Sequence, residues 1–65
     1  NPANAYLHGQ STLNRQQKLE VFNVLGQVIF SGNFLNQFEI STSNWESGLY
    51  FVHIDNSVVK IVVNH

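Results

Sequence analysis

Apolar and polar residues alternate with a period of two along much of this chain, and that period belongs to strands, whose successive side chains point to opposite faces of a sheet. The clearest stretch comes last. After Gly48, Tyr50, Val52 and Ile54 alternate, a polar turn follows, and Lys60-Ile61-Val62-Val63 stops two residues from the terminus. Terminal residues fray unless something ties them down, so an ordered closing strand is expected here. Further upstream, Lys18 to Asn23 puts Leu19 and Val21 on one face and Glu20 and Phe22 on the other. Phe38-Glu39-Ile40 reads as a short strand with Phe38 and Ile40 inward, and Tyr6 to Gln10 as a weak one. Ser11 to Gln17, polar and without period, reads as a loop.

The punctuation between these runs predicts how they connect. In Asn23-Val24-Leu25-Gly26-Gln27, Asn at the first position and Gly at the fourth suit a type I turn, with Gly26 in the left-handed conformation of a G1 bulge. Gln27 to Ser31 then returns antiparallel to Lys18 to Asn23. Ser31-Gly32-Asn33 is a further turn signal, and Asp55-Asn56-Ser57 joins Leu49–Ile54 to Val58–Val63 in a closing hairpin. Within that hairpin, Tyr50, Val52 and Ile54 face inward and meet Val59, Ile61 and Val63. Pro2 favours an extended or turn start beside Asn1.

Ser43-Asn44-Trp45-Glu46 matches a capping box, so a single helical turn is expected before Ser47-Gly48 stops it. Two residues past that Gly, Tyr50 opens the next strand. Immunoglobulin-like sandwiches place a Tyr just after a corner, its hydroxyl bonded to backbone a few residues upstream, and Trp45 to Tyr50 has that layout. Six to seven short strands with turns between them point to an all-β fold, a small antiparallel two-sheet sandwich.

Composition narrows the function classes. Sixty-five residues make one domain, and the absence of Cys leaves apolar burial, from 43% hydrophobic residues, to hold it together. Arg15, Lys18 and Lys60 are scattered and the net charge is −1, so the basic stripe that nucleic-acid binding requires is missing. No apolar run approaches the ~20 residues of a membrane-spanning helix. His8, His53 and His65 have no paired ligand spacing, so neither a metal nor another cofactor is expected. The carboxylates include no obvious acid/base pair, and Ser and His occur without a nucleophile elbow, so no catalytic residue is assigned. With no Met anywhere, the chain reads as excised from a larger protein.

Four segments, in order, resemble a known family: Asn1-Pro2-Ala3-Asn4, Leu19 through Val28, Ser47 through Ile54, and Lys60-Ile61-Val62-Val63. The chain is similar along essentially its whole length to the C-terminal sorting domains of type IX secretion, a Gram-negative route across the outer membrane. The resemblance implies an immunoglobulin-like sandwich that does no chemistry and forms the last part of a larger cargo. It implies recognition by outer-membrane secretion machinery after the cargo reaches the periplasm, then delivery to the cell surface or beyond. A sortase-like peptidase would remove the domain at a point upstream of Asn1. In this frame Asn1, Pro2, Gly26, Gln27, Gly48, Tyr50, Val52 and Ile54 are the structural motif, and Lys60, Ile61, Val62, Val63, Asn64 and His65 the recognition segment.

Gly9 departs from the family pattern, standing where a second apolar residue is usual, so the first strand is expected to be weak or irregularly paired. The family also tends to carry strand residues before the Asn-Pro pair, which predicts a less protected sheet edge and weak self-association there. The outward residues of the closing hairpin, Leu49, Phe51, His53, Lys60 and Val62, form an apolar face. That face, with Val63 to His65, is one candidate docking surface for the secretion apparatus. The alternative is that a Ser31–Asn36 loop covers Leu49 and Phe51, or that both are ordinary exposed residues.

Two other function classes fit the composition. Trp45, Phe22, Phe30, Phe34 and Phe38 could stack sugars in a carbohydrate-binding or adhesive module, or the domain could be a structural spacer. A lectin-like module tolerates a C-terminal extension; a sorting domain does not.

Overall fold

Alternation along the chain translates directly into strands. A computed structural model describes residues 6–64, and within them lie β1 (Tyr6–Gln10), β2 (Gln16–Asn23), β3 (Val28–Leu35), β4 (Gln37–Ser41), β5 (Gly48–Ile54) and β6 (Ser57–Val63). The expectations for Asn1, Pro2 and His65 fall outside the described residues. Every paired strand is antiparallel, and the hydrogen-bonded order is β1-β4-β3-β2-β5-β6.

The sheet does not stay flat. β3 and β4 share a single bridging pair, Leu35 with Gln37, about a reversal at Asn36, whose φ of 73° is left-handed. Asn tolerates that conformation better than most side chains. The β1–β4 ribbon thereby packs over the inner face of the β3-β2-β5-β6 layer, and the rings of Phe34 and Phe38 meet edge to face at 4.9 Å where the two layers join. The result is the expected two-layer all-β sandwich.

Between the layers, Leu19 (1% exposed) and Val21 (0%) sit at the centre with Phe34, Ile40, Tyr50, Val52 and Val63. Burying an aliphatic side chain of this size contributes about 1.5–3 kcal/mol. Leu7, Phe38 and Trp45 pack around this cluster.

At the β2–β3 turn the geometry is the expected one. Gly26 has φ 82°, its N–H donates to the Asn23 carbonyl at 3.0 Å, and the Asn23 N–H donates to the Gln27 carbonyl at 3.0 Å. The Asn23 side-chain oxygen also accepts from the Leu25 and Gln27 amides, each at 2.9 Å. A second irregularity follows: the register passes from Phe22–Val28 to Val21–Phe30, leaving Ile29 as an extra residue.

Several expectations give way. Ser31-Gly32-Asn33 is not a turn: it runs through the middle of β3, with Gly32 opposite Leu19. Its composition suggested a reversal, but pairing along the whole of β2 outweighs local preference, and the ring of Phe30 lies 3.4 Å from where a Gly32 side chain would begin. The supposed Ser31–Asn36 loop therefore cannot cover Leu49 and Phe51. The loop after β1 ends earlier than expected, because Gln16 and Gln17 belong to β2 and Gln17 is buried opposite Phe34.

Nor does Ser43–Glu46 form a helix. Only a turn closes, from the Trp45 N–H to the Thr42 carbonyl at 3.0 Å, while the Ser43 N–H and hydroxyl engage the Ser41 hydroxyl instead. One hydrogen-bonded turn is too short to propagate. Gly9 pairs regularly with Phe38, and its missing side chain is what allows this, because a Cβ there would fall within the Phe38 ring. Val59 points toward the inner layer as expected yet remains 50% exposed, since β6 lies at the edge where the layers part.

Candidate functional site

The closing hairpin is held from both ends. At its entry, Gly48 takes φ 153° and Tyr50 follows, buried, with its hydroxyl donating to the Glu46 carbonyl at 2.6 Å. The expected tyrosine corner is thus formed, and the Trp45 ring lies 5.0 Å from that of Tyr50. At its tip, Asp55 adopts φ 53°. Its carboxylate accepts from the Lys18 N–H at 3.0 Å and the Gln17 side-chain amide at 3.1 Å, and Arg15 approaches to 3.2 Å. The Asp55 N–H in turn donates to the Lys18 carbonyl at 3.0 Å.

This clamp ties the tip of the hairpin to the start of β2. The Lys18 amide bond, then the Gln17 amide and the Arg15 charge, hold the Asp55 carboxyl below its usual range, with desolvation opposing. Sequence inspection missed it, because the partners lie 37 and 38 positions away from Asp55 along the chain.

Register decides which recognition residues reach the surface. Leu49 pairs with Val62, Phe51 with Lys60 and His53 with Val58, all on the outer face. Ile61 and Val63 turn inward, half-buried and buried, while Lys60, Val62 (73% exposed) and Asn64 are presented to solvent. Of the structural set, Gly26 and Gln27 build the β2–β3 turn, Val52 is core and Ile54 is half-buried beside it.

The outer face continues onto β2, where the Phe22 ring lies 4.7 Å from His53 and a shallow groove runs past Val24, Gly26 and Phe51. Further along β2, Lys18 and Glu20 approach to 3.8 Å. The aromatics considered for sugar stacking are dispersed: Phe34 and Phe38 pack on each other, Phe30 lies against Gly32, Trp45 on Tyr50, and Phe22 beside His53. Among the described residues, no three His, Cys, Asp or Glu side chains are grouped to hold a metal ion.

No curated protein and no solved structure matches the chain. A family model described as the secretion system C-terminal sorting domain matches residues 1–64. Domains of this kind are non-catalytic and imply a cargo protein, a secretion machinery and export to the cell surface or the extracellular space. With its corner tyrosine, two-layer fold and a match over nearly all of its residues, the chain belongs to the C-terminal sorting domain family of type IX secretion.

Proposed function

We propose that this is a single sorting domain from the end of a larger cargo, and that outer-membrane machinery reads it through its closing hairpin. The cargo crosses the periplasm in transit, and a sortase-like peptidase then cuts upstream of Asn1. The observation that carries this reading is the apolar outer face of β5 and β6, where Leu49, Phe51, Val58 and Val62 lie around one cation, Lys60, in a domain with few other charges. The recognition segment works as an alternating surface: Lys60, Val62 and Asn64 face the reader, with His65 next in the chain, while Ile61 and Val63 anchor the strand.

A secretion-competent cell expressing a reporter fused to residues 1–65 tests this. The fusion is expected outside the cell and the reporter without the domain in the periplasm; equal distribution of the two refutes the sorting reading. Removing Lys60–His65 also strips Ile61 and Val63 from the core, so the paired surface change Phe51→Ser with Lys60→Ser is the cleaner probe. Export should fall several-fold while the variant still unfolds cooperatively, at a lowered midpoint because Phe51 is half-buried beside Phe22, and undiminished export refutes docking through this face.

A further inference from the structure

β6 closes the strand order, so among the described residues one of its sides has no neighbour. The hairpin closes on the Ile54–Ser57 pair across a two-residue turn, which sets the alternation of backbone groups. Ser57, Val59, Ile61 and Val63 direct their N–H and C=O groups to β5, and Val58, Lys60 and Val62 direct theirs to the open side. No Pro interrupts this seven-residue edge, and its pairing with β5 runs without a register shift. Beneath the edge, the layers part around a groove of about 260 Å³ in which Leu7 and Phe38 face Ile54, Val59 and Ile61. Val59 is the inward residue left half-exposed there.

We infer that the open side of β6 accepts an extended strand from the export apparatus, one that alternates apolar residues over the groove with an acidic residue opposite Lys60. The inference rests on the sorting reading above and assigns its mode of recognition. Backbone pairing through Val58, Lys60 and Val62 supplies affinity independent of the cargo, as a general delivery signal needs. Apolar residues on the incoming strand cover Val59 and Ile61, as a further strand of the sandwich would. Lys60 selects the outward partner by charge.

A second copy of this chain fits the edge poorly. Lys60 is the central residue of β6, so the symmetric antiparallel register with greatest overlap sets Lys60 against Lys60 of the other copy. Like charges directly opposite are unfavourable, and a lysine on an edge strand is a common guard against self-pairing.

The test separates backbone from side chain at Val62, using the reporter fused to residues 1–65. Val62→Pro keeps an apolar side chain and removes the N–H on the open side while fixing the local φ, whereas Val62→Thr keeps the N–H and makes the side chain polar. Strand addition predicts that export falls by roughly tenfold for the Pro variant and by only about two- to threefold for the Thr variant, which loses part of the outer-face contact but no backbone bond. Equal export of the two, or a greater loss with Thr, overturns it. If Val62→Pro fails to fold, as judged by its thermal midpoint, the same comparison at Val58 gives the same readout. Lys60→Glu should reduce export while Lys60→Arg preserves it, and full export of the Glu variant overturns the acidic partner residue. Loss of a dimer in Val62→Pro with export intact would make the occupant a second copy and overturn the inference. A wild-type fusion that stays in the periplasm refutes the sorting reading itself.

Discussion

Replacing Tyr50 with Phe removes one oxygen and leaves the ring against Trp45, so it isolates the bond that makes the corner. That bond is short, 2.6 Å from the buried Tyr50 to the Glu46 carbonyl. A typical intramolecular hydrogen bond contributes a net ~0.5–1.5 kcal/mol, and an acceptor left unsatisfied in a fully dry site costs more. Glu46 itself is exposed, so water can reach its carbonyl in the variant and the expected loss is about 1 kcal/mol. At roughly 0.05–0.15 kcal/mol per residue, a domain of this size has a total stability of only about 3–10 kcal/mol. The corner bond is therefore a tenth to a third of what holds the fold. For a small domain, about 1 kcal/mol lowers the thermal midpoint by about 4–8 °C. Trp45 is the sole tryptophan and lies 5.0 Å from the Tyr50 ring, so its fluorescence reports the transition directly, with far-ultraviolet circular dichroism as a second probe. A midpoint within about 2 °C of the parent would refute the reasoning and make the contact incidental.

Two other perturbations test the packing and the clamp. Gly9→Ala would ordinarily favour a strand, but here the new methyl meets the Phe38 ring, which is itself packed on Phe34. The expected result is a loss of about 1–3 kcal/mol in denaturant unfolding, and a gain would show that the ring moves freely. Asp55 has a folded pKa below its ordinary 3.8, so its contribution is present above the unfolded value and lost as pH falls through the folded one. Asp55→Asn should lower stability near pH 7, and the gap between variant and parent should shrink as pH drops below about 4. A gap that does not change with pH would refute the linkage.

The strands were legible because alternation is a local property: each residue carries its own preference for inside or outside, and β1, β5 and β6 all follow from it. Asn23 and Gly26 announced their turn through backbone chemistry contained in five residues. Gly48 and Tyr50 announced the corner in the same way, since donor and acceptor lie four positions apart. Where local signals competed with long-range pairing, they misled. Gly32 has the composition of a turn, but Leu19 stands opposite it across the sheet.

At the candidate site, sequence alone determined which residues alternate along β6, and from that the split between Lys60, Val62 and Asn64 outside and Ile61 and Val63 inside. The Asp55 clamp was decided only by the tertiary structure, because its charge and hydrogen-bonding partners come from the start of β2, distant along the chain. The place of β6 at the end of the strand order, with one side unpaired among the described residues, was decided there as well. A strand's preference for being a strand resides in its own side chains, whereas its position at the edge of the sheet depends on where every other strand has gone.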